Sequence, residues 1–299
     1  MLASLTYLQA VVMGLVQGIT ELFPVSSLGH SVLLPGLLGW HNLVSSQSQA
    51  QSFFLVFLVG LHVGTAGGLI VYYRLTWFKM FRGLGRQLHT SRQEGASTLW
   101  RLSDSRMDHD YRVLFLLVIG SIPVGLAGVL LDKPLRVLFA KPLAAAIFLT
   151  LNGVILLVGE RMRQHRGRHA RYETIPTLTG RNAVAIGAAQ ILGLLAGISR
   201  SGATMVAGLT RGLDHEDAAN FSFLLATPVI LMAGLYKLPS LMGHLGQGVR
   251  TQTAVGALCA GVAAYLAVRF LTRWFTTKTL NPFGVYCVVI GIACTIRFA

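Results

Sequence analysis

Two short polar segments interrupt apolar sequence and carry side chains that can move protons, attack an electrophile or bind ions. The first, QGITELFPVSSLGH at residues 17–30, gathers a carboxylate, two hydroxyls and an imidazole within ten residues: Glu21, Ser26, Ser27 and His30. An ionisable group in an apolar segment is costly to bury, so by default it marks a functional site in which the charge has a partner. These residue types are the ones used in acid–base and nucleophilic catalysis.

Glu21 lies four residues after Gln17, so on a helix the two side chains share one face. A divalent cation is a natural partner for them, because hard cations take carboxylate and carbonyl oxygens. Glu21 is therefore a candidate metal ligand, with Mg²⁺ or Ca²⁺ as the expected ion. The alternative is that the carboxylate and the two serines only cap broken helices. Capping alone leaves the imidazole of His30 unexplained.

The second segment, GISRSGAT at residues 197–204, has the composition of an anion-binding site. It places the guanidinium of Arg200 among three hydroxyls, those of Ser199, Ser201 and Thr204. Arginine binds phosphate in a bidentate manner, and a helix that begins at a serine presents N–H groups to an anion. The alternatives are that Arg200 extends to a lipid headgroup or pairs with Glu21 as a structural bridge.

Other chemical groups give weaker signals. His62, in FLVGLHVGT at residues 57–65, either faces the same cavity or packs as a hydrogen-bonded histidine. Glycine pairs with GxxxG spacing indicate close helix packing. The three cysteines lie in apolar stretches without CxxC spacing and predict neither disulfides nor a metal cluster: Cys259, Cys287 and Cys294.

The composition indicates a membrane protein. Of 299 residues, 53% are hydrophobic and 12% are charged, whereas soluble domains are about a quarter charged. The formal charge of +14 comes from Lys and Arg in connections between apolar runs, which favours anionic lipid headgroups over nucleic acid as the partner. Residues 1–9 contain no Lys or Arg, so we expect the first apolar run to belong to the mature chain and not to a signal peptide.

Six apolar runs have about the length that a membrane-spanning helix needs. They are Ser52–Tyr73, Val113–Leu131, Leu143–Gly159, Ala218–Leu238, Ala254–Leu271 and Phe283–Phe298. Two more, Leu5–Leu38 and Ala183–Gly212, are broken by the polar segments described above. Non-helical backbone at membrane depth is tolerated only inside protein or beside water. Both breaks are therefore predicted to point inward.

The two broken segments predict an inverted repeat within a single membrane domain, 1–299. A shift of 173 positions pairs Gln17 with Gln190 and Ser26 with Ser199, and three long apolar runs follow each break. Such a pattern is typical of repeated membrane folds whose site lies near the midplane. We expect halves of about 1–160 and 183–299, joined by a basic loop. The predicted fold is an all-α polytopic membrane protein.

Basic residues predict the orientation. Residues 74–112 hold eight Lys or Arg and residues 160–182 hold six, whereas residues 132–142 hold three. The positive-inside rule places the first two connections in the cytoplasm. Three crossings in each half then make the halves antiparallel, as an inverted repeat requires.

At this point the motifs show a family resemblance. The chain resembles the undecaprenyl-diphosphate phosphatases of the bacitracin-resistance (BacA/UppP) type, whose first motif is similar to (E/Q)GxTE(F/L)(L/F)PVSSxGH and whose second is similar to PGxSRSGAT. These motifs fall on residues 17–30 and 196–204, and the segments LHVGT at 61–65 and DAANFSFLLATP at 217–228 also fit. The sequence departs from the family's usual residues at three positions: Leu28 for the common Thr, Ala196 for Pro, and Leu58 for an acidic residue. Gln17 is the permitted alternative to Glu at the first position of the motif.

The resemblance implies hydrolysis of undecaprenyl diphosphate to the monophosphate and inorganic phosphate, which recycles a lipid carrier for cell-wall synthesis and confers bacitracin resistance. It implies a divalent cation, the bacterial plasma membrane, and a site that opens to the outer face. Membrane lipids are expected partners, and a homodimer is left open. The residues that fall on the family's catalytic positions are Glu21, Ser27, His30 and Arg200, with Gln17, Ser26, Ser199, Ser201 and Thr204 expected to bind substrate.

The mechanism stays open at this stage. Phosphoryl transfer needs positioning and positive charge around phosphate oxygens, and the two breaks are complementary in this respect. Either Ser27 attacks after losing a proton to His30, or His30 activates water. A secondary transporter of an anionic solute is the alternative, because broken helices in inverted repeats also characterise that class. A non-catalytic lipid-binding scaffold is a third reading.

Overall fold

The protein is described by a computed structural model over residues 5–47, 53–100, 107–139, 141–164, 172–243 and 246–299. Within these ranges it is helical, and strand pairing is limited to one isolated bridge between Glu173 and Leu213. In chain order the helices are α1 Tyr7–Thr20, α2 Ser27–Leu37, α3 His41–Gln47, α4 Phe53–Tyr72, α5 Arg74–Glu94, α6 His109–Phe139, α7 Pro142–Gln164, α8 Gly180–Ala188, α9 Arg200–Thr210, α10 His215–Met242, α11 Arg250–Trp274 and α12 Asn281–Phe298.

Six of these helices are long and apolar enough to cross a membrane in the part of the chain that the structure describes: α4, α6, α7, α10, α11 and α12. They coincide with the six predicted spans, although the predicted start at Ser52 lies outside the described residues. The all-α polytopic membrane architecture is therefore confirmed.

The connection predicted at residues 132–142 is mostly helix. Helix α6 continues through it to Phe139, and α7 begins at Pro142. Hydropathy marks where a sequence stops being apolar, but Lys and Arg are good helix formers and extend a helix beyond that point. Likewise, residues 74–94 of the predicted basic connection form the helix α5.

The first broken segment is a pair of helices, α1 and α2. Thr6 caps α1 by accepting a hydrogen bond from Gln9 N at 3.1 Å, and the Gln9 side chain accepts one from Thr6 N at the same distance. The chain leaves helical geometry before Pro24, and Ser26 caps α2. Ser26 is the one non-glycine residue with a positive φ, 70°, in the described ranges. The hairpin therefore turns at an energetically unfavourable backbone position.

The second broken segment is built in the same way. Helix α8 gives way to a 3₁₀ helix over Ala189–Leu194, and Ser199 caps α9. Here Gly197 adopts the positive φ, 109°, a conformation that glycine takes without a Cβ penalty. Thus each break ends in a serine that starts a short helix.

Glycines set the packing of the two hairpins in corresponding places. Gly14 lies against Gly256, so that α1 packs on α11, and Gly187 lies against Gly120, so that α8 packs on α6. Gly187 is the partner of Gly14 in the shift of 173 positions. A Cβ at either position would overlap the backbone of the neighbouring helix. For Gly14 this agrees with the packing role predicted from the GxxxG spacing of Gly14 and Gly18.

The order of elements repeats along the chain. A broken hairpin and then three long apolar helices occur first as α4, α6 and α7 and again as α10, α11 and α12. This order is what the predicted repeat requires, while the boundaries of its halves stay a prediction. Helices α7 and α12 pack closely, as do α4 and α11, so each half contacts the other along its length. The two breaks face each other inside this arrangement.

Candidate functional site

The carboxylate of Glu21 is the centre of the site. It is 6% exposed and lies between the end of α1 and the start of α2. Its Oε1 accepts a hydrogen bond from Arg200 Nη2 at 3.0 Å, and its Oε2 accepts one from Gln17 Nε2 at 2.9 Å and one from the Ser27 hydroxyl. Three predicted residues from the two breaks, Gln17, Ser27 and Arg200, therefore meet on one buried carboxylate.

Ser27 and Arg200 contact Glu21 from equivalent places, because they are the first residues of α2 and α9. Both helices thus direct their N-terminal ends, with their partial positive charge, toward the carboxylate. The second guanidinium nitrogen of Arg200, Nη1, is buried and has no partner among the described residues. This arrangement leaves Arg200 with a donor for an additional anion.

Three serine and threonine side chains hold the second break together. Ser199 Oγ accepts from Gly202 N at 3.1 Å and lies 3.0 Å from Ser201 Oγ, which donates to Phe23 O at 3.3 Å. The Thr204 hydroxyl donates to Arg200 O. Ser199, Ser201 and Thr204 are each buried, so their hydroxyls already serve to shape the α9 start that presents Arg200.

Ser26 joins the two breaks directly. Its Oγ accepts from Gly29 N at 3.2 Å, which caps α2, and from Gly197 N at 3.1 Å. A Cβ on Gly29 would lie 3.0 Å from Gly197 Cα, so the backbones of the breaks are nearly in contact. The bond to Gly197 also offsets part of the strain at Ser26. The predicted substrate-binding role of Ser26 is thus accompanied by a structural one.

His30 lies one turn into α2 and is held by contacts of its own. Its Nδ1 is 2.7 Å from Ser26 O, and its Nε2 is 2.8 Å from the Tyr286 hydroxyl. A carbonyl oxygen only accepts, so Nδ1 carries the proton, and Nε2 of the neutral ring accepts from Tyr286. The hydrogen bond from Ser27 to His30 expected in one of the two mechanisms is not formed, because the Ser27 hydroxyl donates to Glu21 instead.

His62 also lies beside the carboxylate of Glu21. It lies at the middle of α4, with Nε2 3.4 Å from Glu21 Oε2 and Nδ1 2.8 Å from Leu58 O. Of the two readings of its sequence context, the structure selects the one in which His62 faces the site. The mid-helix position also places the carboxylate about halfway along a spanning helix.

Asn152 and Tyr286 were not identified from the sequence. Asn152, fully buried in the middle of α7, donates from Nδ2 to Pro24 O at 3.0 Å and accepts from Ser199 N at 2.9 Å. It therefore fixes both breaks to one helix. A single asparagine in an apolar span was the available signal, since a polar side chain there needs partners. Tyr286 had no distinguishing signal among eight tyrosines.

The donor set of the site suits a hard cation in part. Within the described residues, no three His, Cys, Asp or Glu side chains come together as a metal-binding group. Gln17 Oε1, however, is buried beside Glu21 and has no partner in those residues. One carboxylate and one free amide oxygen match a cation that takes its remaining oxygens from a bound phosphate, as Mg²⁺ commonly does.

The chain is similar to known proteins over nearly its whole length. Residues 10–293 match the family described as bacitracin resistance protein BacA. Undecaprenyl-diphosphatase 2 of Frankia alni is 48% identical over 351 aligned positions that cover 99% of this chain and 98% of that protein. The undecaprenyl-diphosphatase of Mycolicibacterium paratuberculosis is 47% identical over 317 positions, covering 100% of this chain and 99% of that protein. On this evidence the chain belongs to the bacitracin resistance protein BacA family.

Proposed function

We propose that this protein hydrolyses undecaprenyl diphosphate to undecaprenyl phosphate and inorganic phosphate. The observation that carries the proposal is the meeting of a hydroxyl, Ser27, and a guanidinium, Arg200, on the buried carboxylate of Glu21. The relatives that carry the name undecaprenyl-diphosphatase align over the whole length of the chain. Recycling of the lipid carrier for cell-wall synthesis, with the resulting resistance to bacitracin, follows from this activity.

In this proposal Arg200 holds the terminal phosphate. Its Nη2 is fixed by Glu21, while its buried Nη1 is available to a phosphate oxygen. The N-terminus of α9 adds backbone N–H groups to the same region. Because the transferred phosphoryl group carries its charge on peripheral oxygens, such fixed positive groups are the main contribution that a protein can make.

Two routes to cleavage are compatible with the hydrogen bonds. In the first, Ser27 Oγ attacks the terminal phosphorus, gives its proton to Glu21, and a water later hydrolyses the phosphoserine. In the second, His30 Nε2 takes a proton from a water that attacks the same phosphorus after Tyr286 moves away. Either route breaks the bond between that phosphorus and the bridging oxygen, and the lipid monophosphate leaves.

We also propose that a divalent cation, Mg²⁺ or Ca²⁺, binds with the substrate, held by Glu21 and Gln17 Oε1. Bound there, the ion would neutralise charge on the diphosphate oxygens. The residues themselves hold the ligand oxygens in place: Gln17 is fixed by its bond to Glu21, and Glu21 is fixed by Arg200 and Ser27. Cation dependence of phosphate release is the measurement that tests this part.

The proposed location is the bacterial plasma membrane, with the site open to the outer face. The positive-inside rule places α5 and the residues before α8 in the cytoplasm. The first hairpin then enters from outside, because the Tyr7 hydroxyl at the start of α1 lies 3.3 Å from Thr251 at the start of α11. His30 lies on the outward side of Ser27, since α2 runs from the break back toward that face.

The decisive experiment is phosphate release from undecaprenyl diphosphate by the purified protein in detergent or vesicles. We expect activity in the wild type and its loss in Arg200→Ala and His30→Ala, whereas Arg92→Gln, an exposed basic position on α5, serves as the matched control. Uptake of an anionic solute into vesicles without phosphate release would contradict the proposal. The names of the relatives give that transporter alternative no support.

A further inference from the structure

The helix α5 presents a surface that the phosphatase reaction does not use. Helix α4 ends at Tyr72 and α5 begins at Arg74, so one residue separates a membrane-spanning helix from a basic one. There is no length of chain to carry α5 away from the membrane edge. The start of α5 is therefore fixed at the level where lipid headgroups lie.

One face of α5 is bound to the protein. Met80, Gly83 and Gln87, which recur at helical spacing, are buried. A Cβ on Gly83 would lie 2.7 Å from Tyr111 N at the start of α6, and Gln87 Nε2 donates to Thr98 O at 3.0 Å. These contacts hold the helix rigidly, so the direction of its other faces is determined.

An ion pair strengthens the same contact. Arg86 donates from Nε to Asp108 Oδ2 at 2.7 Å and from Nη2 to Asp110 Oδ2 at 2.9 Å. The guanidinium lowers the pKa of Asp108, chiefly through its hydrogen bond, so the carboxylate stays charged. Arg86 is therefore neutralised within the protein. Other basic side chains of α5 would have to supply the charge for any external anion.

Two stripes flank the buried face of α5. One is apolar and follows the i, i+4, i+7, i+11 spacing: Trp77, Phe81, Leu84 and Leu88. Of these, Phe81 is 58% exposed and Leu88 is 43% exposed. On the other side lie Lys79 and Arg82, exposed and without a carboxylate partner within the described residues. A helix with an apolar side and a separate basic side is the pattern of a helix that lies in a membrane interface.

We propose that α5 is a docking surface for anionic phospholipids, with its apolar stripe inserted below the headgroups and Lys79 and Arg82 bound to phosphate groups. Charge supports this occupant, because the helix carries five Lys or Arg and one acidic residue, Glu94. Basic segments next to a spanning helix are attracted to anionic leaflets by this mechanism.

Site-directed spin labelling in reconstituted vesicles tests the proposal. Nitroxides are attached to Phe81→Cys and Leu88→Cys, with Gln93→Cys, an exposed position on the polar side, as the matched control. The wild type, labelled in parallel, gives the background from the three native cysteines. We expect positions 81 and 88 to show a severalfold higher ratio of oxygen to nickel-chelate accessibility than position 93. Phosphate release from each labelled variant confirms that it is folded.

Two results would overturn the proposal. Equal access of the nickel chelate to all three positions would place the stripe in water. Protection of position 81 from both reagents would show that a second copy or another protein covers it. The proposed binding of Lys79 and Arg82 to headgroup phosphates has a separate test. Adding phosphatidylglycerol to phosphatidylcholine vesicles should move the label at position 81 deeper into the bilayer. Lys79→Gln with Arg82→Gln should abolish that shift, and persistence of the shift would exclude these side chains as the binding groups.

Discussion

The two breaks share a design but differ in the residue that begins each short helix. Ser26 and Ser199 occupy equivalent positions, and each caps its helix through a glycine N–H, at 3.2 and 3.1 Å. The next residue is Ser27 in the first break and Arg200 in the second. Both reach Glu21, whose own equivalent in the second half is Leu194.

This difference would allow the predicted repeat to form a single asymmetric site. A symmetric pair of breaks would place two like groups opposite each other, whereas here a hydroxyl and a guanidinium meet on one carboxylate. The reaction needs two different side chains, because the group that attacks phosphorus and the group that holds the phosphate have different roles. The carboxylate connects these tasks, so its removal should have the largest effect.

Glu21→Gln should lower phosphate release by about a thousandfold, in the upper range for loss of a fixed electrostatic group. The amide keeps the shape of the side chain but leaves the Arg200 charge uncompensated and removes the proton acceptor for Ser27. Leu194→Ala, at the equivalent position in the second half, is the matched control and should retain wild-type kcat. Undiminished phosphate release in Glu21→Gln would contradict the unequal roles of the two breaks.

Arg200→Lys should lower kcat/KM by about a hundredfold, because lysine carries the charge without the fork that binds Glu21 and a phosphate at once. The matched substitution Arg211→Lys, just beyond the end of α9, should change little. Both variants are compared by phosphate release at saturating and limiting substrate. Full activity in Arg200→Lys would mean that charge alone, and not bidentate geometry, is required in the second break.

The two breaks also differ in backbone strain, with a smaller expected effect than the substitutions at Glu21 and Arg200. Ser26 has a φ of 70°, whereas Ser199 has an ordinary φ of −83°. Ser26→Ala should cost about 2 kcal/mol, because it removes both the cap of α2 and the acceptor of the buried Gly197 N–H, and Ser199→Ala should cost about 1 kcal/mol. Ser26→Gly should be milder than Ser26→Ala, because glycine accepts positive φ. Unfolding in mixed detergent micelles measures these differences, and a Ser26→Gly variant no more stable than Ser26→Ala would show that the strain is not significant.

The sequence was sufficient for the spans and for most of the residues that meet on Glu21. Apolar length reports burial in lipid directly, and a buried charge such as Arg200 requires a partner, so these predictions rest on local physics. Contacts between distant segments are different. Asn152 bonds to Pro24 and Ser199 only because α7 passes both breaks, and Tyr286 meets His30 only because α12 packs beside α2. The spacing of residues along the sequence does not predict such contacts between distant segments.

Substitution of the equivalent glutamines, Gln17 and Gln190, is expected to have the smallest effects on activity and stability. Gln17 donates to Glu21, but Gln190 is fully buried and neither of its side-chain polar atoms has a partner among the described residues. An unsatisfied buried polar group costs about 1–3 kcal/mol. Gln190→Leu should therefore stabilise the protein by about 1 kcal/mol and leave phosphate release unchanged.

Gln17→Leu, the matched change in the first half, should instead lower phosphate release, because it removes a donor to Glu21 Oε2 and the free acceptor beside it. Unfolding in mixed detergent micelles and phosphate release are measured for both variants. Destabilisation by Gln190→Leu would mean that an ordered water satisfies this side chain. Gln190 would then have a polar partner, as Gln17 does, and the two glutamines would differ less than their hydrogen bonds indicate.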